Sequence, residues 1–265
     1  MAKTLVPDEL WKLVEPLLPS EAPKPKGGRP RLPDQQALSG ILFVLKTGIP
    51  WEDLPKEMNC GSGMTGWRRL RDWQEQGVWE RIHLACLEGL QAAEGIDWRG
   101  AVLDSAAVRA VFGGTRQGPN PTDRAKAGSK HHVITDAQGI PLATRLTGAN
   151  THDVTQALEL VDAIPAVKGK RGRPRRRPLQ LQGDRGYDSG ALRQDLRRRH
   201  ILPVLGKRGQ PHGSGLGVSR WVVERTLSWL HQFRRLRVRF ERRADIHEAF
   251  LTLGCVIICS RFLFQ

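Results

Sequence analysis

Apolar residues recur at three- and four-residue intervals through the first 95 positions, the spacing of helices that bury one face. Residues 8–18 put Leu10, Val14 and Leu17 on one side, ahead of a Pro/Lys/Gly linker, SEAPKPKGGRPRLP. DQQALSGILFVLKTG sets Ala37, Leu38, Ile41, Leu42 and Leu45 at helical spacing, with Gly48 as its stop. IPWEDLP reads as a tight turn into another short helix. GSGMTGWRRLRDWQEQG opens on small capping residues and then aligns Trp67, Leu70 and Trp73 on one stripe, with Arg68, Arg69 and Arg71 elsewhere around it. Residues 78–95 complete this segment with a further amphipathic helix.

From residue 98 the pattern changes. RGAVLDS is a short apolar run that ends in an acid, as a buried strand would. HHVITDAQGIPLATRLTG predicts a hairpin turning at DAQG. DVTQALELVDAI predicts a helix capped by Thr151 or Asp153, and KGKRGRPRRRP a solvated basic loop. LQLQGD is a second strand ending in an acid, SGALRQDLRRRH the helix after it, and ILPVLG a third strand. SRWVVERTLSWLHQF is a strong amphipathic helix, and 244–264 a largely buried one. GTRQGPNPTDRAKAGSK carries neither period and reads as a loop. The order predicts a mixed α/β layer fold at 96–265 behind an all-helical domain at 1–95.

Length and charge narrow the class. The chain has 265 residues, and 42 Lys and Arg against 27 Asp and Glu give a net charge of +15. Such an excess points to a polyanionic partner, nucleic acid first. A membrane surface fits less well, because the charge is not gathered on an amphipathic helix. The apolar stretch FLTLGCVIICS is shorter than the roughly 20 residues that span a bilayer, and the amino terminus lacks an apolar signal core. A cytoplasmic protein without a membrane span is expected. Four cysteines with no zinc-type spacing predict buried, reduced thiols.

Three acids carry the candidate chemistry. Asp104 and Asp184 each end a predicted strand, and Glu224 sits in a helix beside apolar Trp221, Val222 and Val223. An acid at the end of a buried strand is costly unless it meets a cation or a donor. Three that converge would hold hard divalent ions through oxygen, and two such ions can activate a hydroxyl and stabilise an oxyanion leaving a phosphodiester. Spacing alone leaves open the plainer reading, in which each acid is a cap or an ion-pair partner.

The chain resembles the DDE transposases of bacterial insertion sequences, in the large family named after insertion sequence five. WKLVEPLLP, GGRPR and ILFVLKTGIPWEDLP are similar to the family's helical DNA-binding region. LDSAAVRA, the GPNPTDRAKAGSKHHVITDAQGIPL stretch and GANTHD resemble the surroundings of its first acid, GDRGYDS the second, and VVERTLSWL the third. The resemblance implies a ribonuclease-H-like catalytic core behind a helix-turn-helix-type domain. It implies metal-dependent strand cleavage and transfer at the terminal inverted repeats of the element, with Mg²⁺ (or Mn²⁺), two ions, and no small-molecule cofactor. It also implies duplex DNA, repeat and target, as partner, and a homodimer on that DNA. By position, Asp104, Asp184 and Glu224 become the catalytic and metal-binding residues. Around the glutamate the family pattern is Tyr, Arg, Glu, Lys; Arg220 and Glu224 match it, whereas Gly217 and His231 stand in for Tyr and Lys. Those departures motivate a competing reading, a DNA-binding repressor without catalysis.

The remaining candidates are cations. Arg68, Arg69 and Arg71 would face DNA from a recognition helix, and Arg171 and Arg173 read as prongs of a minor-groove hook. Arg124, Lys126 and Lys130 would clamp the backbone from the loop after the first acid, and His231 would donate to a phosphate. Arg234 and Arg235 open a run (Arg237, Arg239, Arg242 and Arg243 follow) that beside a metal site becomes a DNA track. Each group also has a plain reading as a solvated face. His131 and His132 would point to opposite faces of a strand and not chelate together.

Overall fold

The computed structural model describes residues 5–20, 30–209 and 217–264, with side chains from 220 onward in the last segment. Most of the linker, including Gly27, Gly28 and Arg29 of the GGRPR stretch, lies outside the described residues.

The helical segment follows its periodicity. Helix α1 (Asp8–Val14) tightens into a 3₁₀ turn at Glu15–Leu17, where Pro16 supplies no amide hydrogen. Helix α2 (Asp34–Thr47) stops where Gly48 adopts φ 74°, a left-handed conformation that suits glycine. Two 3₁₀ turns, Trp51–Asp53 and Lys56–Met58, lead to α3 (Gly63–Glu75), whose first turn is capped by the Ser62 hydroxyl accepting from Thr65 N at 3.2 Å. Helix α4 (Val78–Ala92) follows, and Trp73 meets Trp79 edge to face at 5.4 Å between α3 and α4.

Strand β1 (Ala101–Ala110) is longer than its apolar run. Asp104 therefore sits within the strand and does not end it. Strands β3 (Ala127–Asp136) and β4 (Pro141–Gly148) form the predicted hairpin, and a two-residue strand, β2 (Gly118–Pro119), edges β3 inside the segment read as loop. Helix α5 (Asp153–Asp162) is preceded by His152, without a side-chain cap from Thr151 or Asp153. Strand β5 (Gln180–Gly183), helix α6 (Gly190–Arg198), strand β6 (Leu202–Leu205) and helix α7 (Gly217–Gln232) then alternate. A single turn, α8 (Arg234–Arg237), the short β7 (Val238–Arg239) and α9 (Ala244–Leu263) complete the chain.

The sheet runs β4–β3–β1–β5–β6, with β3 antiparallel to both β1 and β4, and β5 and β6 parallel to β1. This is the order of the expected ribonuclease-H-like core. On its β5 side, β1 pairs at Ala101–Val102 and again with β7 at Arg109–Ala110. Among the described residues no strand pairs with this edge between those contacts, and Asp104 lies in that gap. Helix α7 packs on β1 and β3, and α9 packs on α4, α3 and β4. One apolar cluster runs from Val6 and Leu10 through α2 to α4 and on to β1, β5 and α9. Helix α9 is long and apolar enough to cross a membrane by length and composition, but its apolar faces are taken up within this cluster. All four cysteines are free and buried, as expected.

Two consequences for stability follow from this packing. A Cβ at Gly63 would overlap the Trp51 carbonyl, so Gly63→Ala is expected to cost about 1–3 kcal/mol, read as a lower urea midpoint. His83 is buried with Nε2 against the Pro141 carbonyl at 2.9 Å, and burial pushes its pKa down to about 4. Between pH 6.5 and about 4 the unfolded chain takes up a proton that the fold refuses, so stability falls as pH drops through this window. Urea titrations across the same range are expected to show a flatter acid limb for His83→Gln, by up to about one proton.

Candidate active site

Strand β5 carries the chain towards Asp104. Val102 pairs with Gln182 in parallel, β5 ends at Gly183, one residue before Asp184, and the Asp184 charge acts on the Asp104 carboxyl. Beyond Gly183 the chain turns away, and Asp184 caps the 3₁₀ turn Arg185–Tyr187 by accepting from Gly186 N at 2.8 Å. The plain reading of Asp184 as a cap is thus also realised. Glu224 comes from α7, with its side chain 56% exposed and paired to Arg220 at 3.2 Å one turn away.

The electrostatics link all three. Burial pushes the Asp104 carboxyl up to about 6; the Ser105 amide, donating at 2.8 Å, and Arg220 oppose this, while the charges of Asp184 and Glu224 add to it. Among the described residues no group of three or more His, Cys, Asp or Glu is closed around one point. Three carboxylates, with Asp184 and Glu224 both acting on Asp104, nevertheless form an oxygen-only donor set that repels itself. A hard divalent cation fits such a set.

Behind Asp104 lies a polar layer that the sequence did not signal. Ser105 Oγ donates to Asp153 at 2.7 Å, and Lys130 Nζ reaches Asp153 at 3.0 Å and the Thr151 carbonyl at 2.8 Å. His132 is buried over this group and bonded to Thr147 at 2.8 Å; burial lowers its pKa to about 4. Tyr187 is buried here too, its hydroxyl pushed up by burial and then by Asp153, Asp104 and Asp184.

An open cavity of about 600 Å³ adjoins Glu224, lined also by Leu227, Ser228, His231, Gln232, Arg234 and Arg237. His231 and Arg234 share this cavity with Glu224. Burial, Arg237 and His247 lower the His231 pKa, so its ring is neutral.

The other predicted cations divide by burial. Arg68, Arg124, Lys126, Arg171 and Arg173 are exposed. Arg71 is half-buried, bonded to Asp72 at 2.6 Å and stacked over Trp67. Lys130 is held by Asp153, so it is a ligand of the polar layer and no clamp on a backbone. Arg69 and Arg235 turn inward, correcting the expectation that they face DNA. Arg69 lies on the buried side of α3 against Trp73, paired with Asp34. Arg235 is buried, donates to Glu241 at 2.6 Å, and reaches the Gly48 and Ile49 carbonyls at the end of α2 at 3.2 and 3.0 Å. Arg239, from the same run, is buried as well and donates to the Thr115, Arg116 and Glu241 carbonyls and to Ser129. In each case orphaned carbonyls or a buried acid supply what water would otherwise provide. His131 and His132 do face opposite sides of β3: His131 contacts His247 at 2.8 Å, and His247 contacts Glu241 at 3.1 Å.

An aspartate within β1, a second just past the end of the parallel β5, a glutamate on α7 and a basic cavity beside it are the arrangement of a DDE-type nucleic-acid enzyme. Comparison with known proteins makes the class specific. The family model "Transposase DDE domain" matches residues 98–259, more than half of the chain, and the chain belongs to that family. Residues 6–83 match "Putative transposase of IS4/5 family". The chain is 64% identical over 148 residues to the "Putative transposase for insertion sequence element IS402" of Burkholderia cepacia, covering 56% of this chain and 70% of that protein. It is 54% identical over 123 residues to the 16.2 kDa protein of the same element, covering 46% of this chain and 84% of that protein. A pre-cleavage Mos1 transpososome is similar over 92% of this chain and 82% of that chain at 13% identity, but at a TM-score of 0.28 no correspondence is drawn from it. The protein is a transposase, an enzyme of a class that acts on DNA and depends on divalent metal.

Arg235 tests the inward-turned cations. Removing it takes a donor from the buried Glu241 carboxylate and from the Gly48 and Ile49 carbonyls just past the end of α2. Arg235→Ala is expected to lose about 3–5 kcal/mol of stability, measured by chemical denaturation. Arg68→Ala, at an exposed position, serves as the control and should change it by less than about 0.5 kcal/mol.

Proposed function

We propose that this transposase binds the terminal inverted repeats of its element and cuts and joins DNA there with Asp104, Asp184 and Glu224 as its catalytic carboxylates. The observation that carries the reading is that β5 runs parallel beside β1 up to the residue before Asp184, with the charges of Asp184 and of Glu224 on α7 both acting on the Asp104 carboxyl. These residues would hold Mg²⁺, with Mn²⁺ as a substitute and two ions in all, which when bound supplies Lewis-acid stabilisation of the phosphoryl oxygens. Glu224 must release Arg220 to join the aspartates, and the released guanidinium is then placed to contact a phosphate. Arg234, exposed beside Glu224, and His231 lie where the scissile phosphate would enter.

Residues 1–95 act as the repeat-reading domain and 96–265 as the catalytic domain. Arg68 and Arg71 contact DNA from α3, Arg124 and Lys126 from the turn before β3, and Arg171 and Arg173 from the basic loop. Synapsis of two ends makes a homodimer on DNA the working form, in the cytoplasm. Retention of all three acids favours this reading over a repressor without catalysis.

Cleavage of an end-labelled repeat duplex in Mg²⁺ or Mn²⁺ tests the assignment. Asp104→Ala, Asp184→Ala and Glu224→Ala are each expected to lower nicking at least about 100-fold, since metal stabilisation contributes several kcal/mol, while repeat binding in a mobility-shift assay persists. Parental rates in all three variants would remove these acids from the chemistry.

A further inference from the structure

Strand β1 carries the chain from Asp104 past β7 into a tight loop, residues 111–115, that begins with Val111 and Phe112, 46% and 57% exposed. Two adjacent apolar side chains held out in water need a reason, and this loop is built to hold them there. The Val111 amide donates to the Arg239 carbonyl at 3.0 Å and the Thr115 amide to the Arg242 carbonyl at 3.1 Å. The buried Arg239 guanidinium donates across the base of the loop, to the Thr115 carbonyl at 2.7 Å and the Arg242 carbonyl at 3.3 Å. Gly113 and Gly114, at φ 69° and 115°, turn the chain back over these bonds. The Phe112 ring meets Phe240 at 6.1 Å between centroids, and the Arg235 guanidinium lies over Phe240 at 5.0 Å. The apolar tip is thus exposed at its end and fixed at its root.

Cations flank it. Arg109 lies on β1 two residues before Val111 and pairs in the sheet with Val238 of β7; Arg237 precedes Val238, and Arg242 stands at the other stem of the loop. All three are exposed, and among the described residues none has an ion pair or a side-chain hydrogen bond. Arg237 also lines the cavity beside Glu224, together with Arg234. One run of exposed positive charge therefore joins the acid site to the apolar tip. A lipid surface would also accept an apolar tip among cations, but only a nucleic acid explains why the same run continues into the cavity of an enzyme that acts on DNA.

We infer that Val111 and Phe112 form a wedge that enters the base stack of the duplex held at the acid site, with Arg109, Arg237 and Arg242 on the flanking phosphates. This rests on the reading above that the cavity beside Glu224 takes the DNA to be cut. An apolar ring inserted at a base step unstacks it and kinks the duplex, and the phosphates that the kink brings within reach of the arginines offset the cost. A loop ordered only on binding would lose part of that gain; here Arg239 fixes both stems beforehand. The strand also sets the position of the kink. Phe112 follows Asp104 by eight residues, at most about 26 Å of extended chain, so the unstacked step lies within about eight base pairs of the cleaved phosphate.

Fluorescence of 2-aminopurine, placed at successive positions of the repeat duplex and of an unrelated duplex, reads unstacking without cleavage when divalent metal is left out. The full chain is expected to raise the signal several-fold at a step within about eight base pairs of the cleavage site. Phe112→Ala is expected to abolish that rise and to weaken binding about tenfold, the order of one lost base–aromatic contact. Phe112→Leu keeps an apolar wedge and is expected to retain most of both. Leu202→Ala, at an exposed apolar position on the edge strand β6, is the control and should change neither. No responsive position, one only beyond that distance, or a response that Phe112→Ala leaves intact overturns the inference. Loss of self-association or of binding to phosphatidylserine vesicles in Phe112→Ala, with no unstacking by the parent, would assign the tip to a second copy or a membrane surface and overturn it too. Equal unstacking in both duplexes keeps the wedge and removes the repeat reading, and unstacking by a parent that never nicks in Mg²⁺ keeps the wedge and removes the cleavage reading.

Discussion

The arrangement depends on burying one carboxylate in a gap in the sheet. Strand β1 is paired at its start by β5 and at its end by β7, and Asp104 lies where neither covers it. Burial there, within reach of the Asp184 charge, makes the ionised form expensive and lifts the carboxyl to about 6. The topology makes the placement possible. A parallel crossover lets β5 run beside β1 and then diverge at the turn Arg185–Tyr187, so that Asp184, just past the end of β5, comes within electrostatic reach of Asp104.

Arginine does two kinds of work in this protein. A chain with net charge +15 would be expected to turn its cations outward, and the loop at Arg171–Arg177 does so. Arg235 and Arg239 instead serve as multidentate donors in the interior, satisfying backbone carbonyls that no strand or helix satisfies. Because two of those carbonyls belong to the end of α2, Arg235 ties the helical segment to the short turn that follows the glutamate helix. Helix α9 adds to this tie from the other side through α3 and α4. The elements expected to read DNA and the elements expected to cut it thus share buried bonds as well as an apolar cluster.

Most of the fold was legible along the chain, because helix and strand periodicity are local properties. The helices at 34–47, 63–75 and 78–92, the hairpin at 127–148 and the strand ending before Asp184 all follow from their apolar spacing. The misreadings have physical causes. The second half of β1 is alternately exposed and carries Ser105 and Arg109, so its hydrophobic signal fades while its ladder to β3 continues. Strands β2 and β7 are two residues long and exist only through their partners. Arg69 and Arg235 look like any surface arginine until Asp34 and Glu241 are seen beside them.

The sequence by itself determined the class of fold, the family, the identity of the three acids and the basic character of the surface, since each is carried by residue type, short motif or local period. Tertiary structure alone decided that Asp184 comes within electrostatic reach of Asp104, that Glu224 is held off by Arg220, and which arginines face inward. It also decided that His131, His247 and Glu241, up to 116 residues apart, meet in one buried chain. Such meetings are set by strand register and helix packing, which depend on long-range contacts that no local pattern encodes.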